Sequence, residues 1–158
     1  MANVFTGSEI VDIGIQIERN GKDFYNALIS QTRNNEAIEI FTLLAKEEDK
    51  HIAVFQKLLE AVGKFEPQEG YPGEYCEYMN SLAGEYVFTQ KGKGKEAAGR
   101  AKDEKAGIDM GIGFEKDSII FYQGMKKVVP ESDKDAIDAL IKEEKKHLVK
   151  LTRLKKKL

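Results

Sequence analysis

Two six-residue segments of this chain are near copies: Lys46-Glu47-Glu48-Asp49-Lys50-His51 and Lys142-Glu143-Glu144-Lys145-Lys146-His147 agree at five positions of six. They hold both histidines of the sequence, each with a glutamate three residues before it. On a helix, positions i and i+3 share a face one turn apart, so a carboxylate and an imidazole at that spacing can close on one cation. The pairs therefore require helix at two distant places. They also require a fold that explains why the motif occurs twice.

A second repeat runs with the first. Gly14-Ile15-Gln16-Ile17-Glu18-Arg19 resembles Gly111-Ile112-Gly113-Phe114-Glu115-Lys116, and Tyr25 and Tyr122 follow seven residues after the respective glutamates. The offset is 97 residues in this motif (18 to 115) and 96 in the histidine motif (48 to 144). Two similar helix pairs, about 7–62 and 103–157, are joined by a crossover of about 63–102. That arrangement predicts an all-α four-helix bundle built from duplicated hairpins, one domain over 1–158. Helices two and three of such a bundle are parallel, so the long connection must run its length.

The boundaries follow from local chemistry. Thr6-x-x-Glu9 reads as a capping box opening the first helix, along which Ile10, Ile13, Ile17, Phe24 and Leu28 recur at helical spacing. A second helix follows Asn34-Asn35 and is expected to stop at Gly63, with Pro67 beyond. The crossover is expected to hold one short helix, between Glu74 and Gln90. Lys91-Gly92-Lys93-Gly94-Lys95 has the composition of a mobile linker. The third helix is expected from Asp103 to Val129, ended by Pro130, and the fourth from Ser132, with Ser132-x-x-Asp135 as a weak cap, towards Leu158. The cationic C-terminal end (Lys150, Arg153, Lys155, Lys156, Lys157) suits a helix C-terminus and reads as solvated surface.

Composition narrows the function classes. Of 158 residues, 41% are hydrophobic and 33% charged, which fits a helical protein with well-solvated outer faces. A net charge of −2 argues against nucleic-acid binding. No apolar stretch is long enough for a membrane span, and residues 1–14 lack the features of a secretory signal, so a cytoplasmic location is expected. Cys76 is the single cysteine, which excludes an internal disulfide and any four-cysteine zinc or iron site.

Four glutamates lie inside apolar stripes. At positions −7, −4, −3 and +7, Glu18 has Val11, Gly14, Ile15 and Tyr25, and Glu115 has Ile108, Gly111, Ile112 and Tyr122. The corresponding residues are Phe41, Leu44, Ala45 and Phe55 for Glu48, and Ile137, Leu140, Ile141 and Leu151 for Glu144. A carboxylate buried there without a partner costs several kcal/mol or stays protonated. Only Lys22, beside Glu18, is a candidate cationic partner on these stripes.

Metal is the better account. Four carboxylates balance two divalent cations, and two neutral imidazoles add nitrogen. This mixed set suits iron or manganese, whereas magnesium and calcium favour oxygen alone and structural zinc favours sulfur. One glutamate from each of two helices plus Glu-x-x-His from each of two others is the ligand set of di-iron and di-manganese bundles. The expected ligands are Glu18, Glu48, His51, Glu115, Glu144 and His147. Glu143 points away and is expected to pair with Lys146 and Lys150 on the surface. Glu47 has Ile40, Leu43 and Val54 on its side, and its role stays open. Gly14 and Gly111 either make room for metal or oxidant or allow close helix packing. The hydroxyls of Tyr25 and Tyr122 are placed to bond a liganding carboxylate from across the bundle.

The pattern Glu18, Glu48-x-x-His51, Glu115, Glu144-x-x-His147 resembles the di-iron domain of the rubrerythrins, within the ferritin-like superfamily. The resemblance covers both helix pairs and says little about residues 64–103. It implies that Glu48 and Glu144 bridge two irons, that Glu18 and Glu115 are terminal ligands, and that each histidine binds one metal. It also implies reduction of hydrogen peroxide in oxidative-stress defence, by irons cycling between ferrous and ferric. Rubrerythrins receive electrons through an attached rubredoxin domain. Here nothing is expected to follow the bundle, so an external donor such as a rubredoxin-type protein is implied, with a homodimer as the assembly. Family peroxidases carry a further glutamate three residues after the third-helix ligand, letting one iron change ligands. Ser118 stands there in this chain. Bacterioferritins share the six-ligand pattern, which makes iron oxidation and handling the alternative. Their haem is held by a methionine directly after the second-helix glutamate, where this chain has Asp49, so no haem is expected.

Overall fold

The computed structural model describes residues 6–64 and 73–158. Its helices are α1 (Gly7–Gln31), α2 (Asn35–Lys64), α3 (Gly73–Glu85), α4 (Lys93–Gly99), α5 (Glu104–Met125) and α6 (Lys134–Lys157). No strand occurs among the described residues. Helix α1 packs along α2 and α5 along α6, and the two pairs close on each other through α1–α5 and α2–α6. This is the expected all-α bundle. Among the described residues, no helix is long and apolar enough to cross a membrane.

The helix starts follow from capping. Thr6 N–H donates to Glu9 Oε2 (2.7 Å) and Glu9 N–H to Thr6 Oγ1 (3.1 Å), completing the capping box of α1. Asn34 Oδ1 accepts from Ala37 N (2.9 Å) at the start of α2, and Asp103 Oδ1 from Ala106 N (2.7 Å) at the start of α5. Glu104, in the first turn of α5, then reaches the α1–α2 turn. Its Oε1 accepts from Thr32 Oγ1, Arg33 N (2.7 Å) and Asn34 N (3.1 Å). The N-terminus of α5 is thus tied to the end where α2 begins, so α2 and α5 run parallel and the crossover spans the bundle. These three donors hold the carboxyl of Glu104 below its ordinary pKa.

Several boundaries differ from expectation. Helix α2 ends at Lys64, one residue past Gly63, and Pro67 lies outside the described residues. Helix α5 stops at Met125 rather than Val129. The chain turns there through Val128 N–H to Met125 O (3.0 Å), which lets Val128 and Val129 fold into the core ahead of Pro130. Ser132 caps nothing. It sits in a 3-10 turn, Glu131–Asp133, and α6 starts at Lys134 without a side-chain cap bond.

The largest difference is in the crossover, which carries two helices and a 3-10 turn (Val87–Thr89) instead of one short helix. The lysine-glycine stretch is no linker: Gly92 adopts a left-handed φ of 75° and starts α4, which packs on α1. Asn20 of α1 explains the order. Fully buried, it donates from Nδ2 to Phe88 O (2.8 Å) and Gln90 O (2.6 Å) and accepts at Oδ1 from Gly94 N (3.0 Å). Gly94 lies so close that an added Cβ would overlap the Asn20 backbone carbonyl. Gly94→Ala is therefore expected to cost about 3 kcal/mol of stability, the upper end for overpacking. Gly99→Ala, where a Cβ meets nothing within 4 Å, should change little. Equal denaturant midpoints for the two variants would refute this account of the crossover.

Candidate metal centre

Four bundle helices each bring an acidic residue to one level. Glu18 comes from α1, Glu48 and His51 from α2, Glu115 from α5, and Glu144 and His147 from α6. All six are buried, with exposures between 0% and 5%. The helical stripes dictate this, because each glutamate shares its face with core residues such as Val11, Leu44, Ile108 and Ile137.

Six side chains form two overlapping groups. In one, donor atoms of Glu18, Glu48, His51 and Glu144 lie within 4.8 Å of one another, and in the other those of Glu48, Glu115, Glu144 and His147 do. His51 Nδ1 is 3.3 Å from Glu18 Oε2, 3.4 Å from Glu48 Oε2 and 2.9 Å from Glu144 Oε1. His147 Nδ1 is 3.5 Å from Glu48 Oε1, 3.6 Å from Glu115 Oε1 and 3.3 Å from Glu144 Oε2. Glu48 and Glu144 thus turn one oxygen towards each histidine, while Glu18 and Glu115 face one apiece. The imidazole rings lie nearly parallel, 5.4 Å apart and inclined by 14°.

The electrostatics reflect crowding. Burial, then repulsion from Glu48 and Glu144, pushes the Glu18 carboxyl well above its ordinary pKa. Burial and the same two neighbours do likewise for Glu115. Burial works upward on Glu144 too, but the two imidazoles hold it well below the usual range. On Glu48 burial and Glu144 also push upward, yet contacts with Glu18 and both histidines leave it lowered. Burial alone would lower His51 and His147, but three carboxylates around each raise both far above an ordinary histidine. Two buried atoms, Glu144 Oε1 and His147 Nδ1, make no hydrogen bond. Buried donor atoms crowded together, two of them without a hydrogen bond, fit a centre whose missing contacts are cations. The oxygen and nitrogen donor set fits two divalent ions.

Around the cluster, Tyr25 Oη donates to Glu115 Oε1 and Tyr122 Oη to Glu18 Oε1, each from the opposite helix pair. Burial and the nearby carboxylates raise both phenols, so each keeps its proton. Phe41 stacks on Tyr25 (6.1 Å, 20°) and Phe55 packs on Tyr122 (4.9 Å), fixing the rings. Gly14 and Gly111 serve packing: a Cβ at Gly14 would meet Met125 Cε at 2.7 Å, and one at Gly111 would meet Leu151 at 3.2 Å. Lys22 does not pair with Glu18. It bridges to the exposed Asp49 (2.7 Å).

Glu47 acquires a definite place. Its Oε2 lies 2.8 Å from His147 Nε2 and 3.6 Å from Lys150 Nζ. This carboxylate can fix the tautomer in which His147 offers Nδ1 to the cluster. Its counterpart Glu143 pairs with Lys146 (2.6 Å), as expected, while Lys150 turns to Glu47 instead. Two contributors escaped the sequence reading. Gly21 is one, since a Cβ there would stand 3.4 Å from the Glu48 carboxyl carbon. Asn20 is the other, and its polar side chain on the stripe of Ile13, Ile17 and Phe24 was the available signal.

No curated protein and no solved structure gives a significant match to the chain. The family model described as Rubrerythrin matches residues 9–155, spanning both helix pairs and the crossover, and the chain therefore belongs to the rubrerythrin family.

Proposed function

We propose that the protein binds two iron ions through Glu18, Glu48, His51, Glu115, Glu144 and His147, and reduces hydrogen peroxide or dioxygen with electrons from a separate donor protein. One observation carries this reading: Glu48 and Glu144 each offer one oxygen to either side of a buried acidic centre. When bound, two ferrous ions supply one electron each, enough to convert hydrogen peroxide and two protons into two waters. The protein's part is to hold the ligands and keep water out. Tyr25 and Tyr122 donate to one oxygen of Glu115 and Glu18, which orients each carboxylate while the proton stays on Oη. Glu47 steadies His147 from behind. Cys76 is the single cysteine of these 158 residues and is buried, so they hold no four-cysteine iron site of their own.

A second reading is oxidation and handling of iron without peroxide turnover. It is favoured by Ser118, whose hydroxyl donates to Phe114 O (2.9 Å) where the resemblance would place a liganding glutamate. Stopped-flow mixing of the ferrous protein with peroxide separates the two. The first reading expects ferric absorption to rise orders of magnitude faster than for free ferrous ion, repeatedly when a reductant is supplied. A single slow oxidation, or uptake well beyond two irons per chain, would favour the second.

A further inference from the structure

The crossover delivers one aromatic ring to the metal centre. Phe88 is buried, stacks on Phe114 at 3.7 Å and 23°, and meets Phe24 edge-on at 5.7 Å. Its carbonyl is held by Asn20 Nδ2, so the ring is positioned by a buried hydrogen bond. Two cavities of about 10 Å³ each share Ile17, Phe88, Phe114 and Ser118 in their linings. The inner one is also lined by Glu18, Glu48 and Glu115, with Gly21 and Tyr25. The outer one is bounded by Tyr86 and Asp117. Neither histidine nor Glu144 lines the inner cavity, so it reaches the cluster from the side away from the imidazoles.

Each cavity has room for about one water-sized molecule. The room exists because the two repeat-equivalent positions, three residues after Glu18 and Glu115, are the small residues Gly21 and Ser118. With its hydroxyl turned to Phe114 O, Ser118 offers the slot little beyond a methylene.

We infer that this slot is where the oxidant reaches and binds the centre, that it admits only small species such as hydrogen peroxide or dioxygen, and that the Phe88 ring excludes larger hydroperoxides. The inference rests on the function proposed above, which supplies the oxidant. It adds the size limit and the residue that sets it.

The test uses the full chain loaded with metal. In the diferrous protein, oxidation by hydrogen peroxide should exceed that by tert-butyl hydroperoxide at least about 100-fold, the scale on which a tight pocket rejects extra methyl groups. Phe88→Ala should shrink that ratio about 10-fold or more while metal stoichiometry holds. Ser118→Val, which narrows the slot without touching the crossover, should slow hydrogen peroxide itself. A second readout needs no turnover: azide, with three heavy atoms, should leave the visible spectrum of the dicobalt(II) protein unchanged and alter it in Phe88→Ala. Equal rates with both peroxides in the unmodified protein, or azide binding equally to both proteins, overturns the slot. Should hydrogen peroxide react no faster than with free ferrous ion, the proposed function fails, and the azide comparison still decides the slot.

Discussion

Glu144→Ala is expected to remove both metal ions, not one. Glu144 places Oε1 2.9 Å from His51 Nδ1 and Oε2 3.3 Å from His147 Nδ1, so each half of the centre depends on it. Glu48, which also faces both imidazoles, should behave the same way. Glu18→Ala and Glu115→Ala should each empty one side. Glu47→Ala touches only the back of His147 and should weaken that side by about 10- to 100-fold, the usual scale for a group orienting a ligand. Glu143→Ala should change nothing, because its carboxylate pairs with Lys146 at the surface. Metal content after equilibration against a buffered ion checks the series. If Glu144→Ala and Glu143→Ala retain equal metal, the assignment of faces on α6 is wrong.

Metal loading should release protons near pH 6, because ligands must be deprotonated to bind. Without metal, Glu18 and Glu115 are raised and both histidines are raised far more, whereas Glu48 and Glu144 are lowered. Crowding thus favours the protonated forms of Glu18, Glu115 and both histidines and the ionised forms of Glu48 and Glu144. The sign for stability follows. Groups raised in the folded state stabilise it fully below their unfolded pKa and lose that contribution as pH rises through the folded one. Metal-free protein should therefore lose stability above about pH 4.5 for the glutamates and about pH 6.5 for the histidines. The lowered Glu48 and Glu144 act oppositely, their contribution lost as pH falls below about 4.5. Metal binding strengthens with pH, so the gain in Tm on loading should widen from pH 5.5 to pH 8. A gain independent of pH, with no proton release by calorimetry in two buffers, would contradict the assignment.

The bundle and the centre were legible because both repeat. Glu18 and Glu115, like Glu48 and Glu144, mark helical faces whose other members are apolar, and period alone places them inside. Phase also put Tyr25 and Tyr122 on the same faces, although which carboxylate each would meet required the packing of one helix pair on the other. The crossover was opaque for a physical reason. Its order comes from one long-range anchor, Asn20, holding Phe88, Gln90 and Gly94 from about 70 residues away. Local composition at Lys91–Lys95 carries no trace of that contact. Glycine and lysine are read as a linker, while the bare Cα of Gly94 is what allows α4 to press against α1. Glu47 was ambiguous because its stripe is half apolar, and the structure resolves it through His147, a partner 100 residues away.

The central claim is that acidic side chains withdrawn from water in this bundle are held there by two cations they share. Anomalous diffraction at the iron and manganese edges, from crystals of protein never exposed to chelator, tests it most directly. Two peaks about 3.5–4 Å apart are predicted, one beside His51 Nδ1 and one beside His147 Nδ1, with Glu48 and Glu144 contacting both. A centre with no peak at either edge and the six side chains packed as a purely protonated cluster would contradict it.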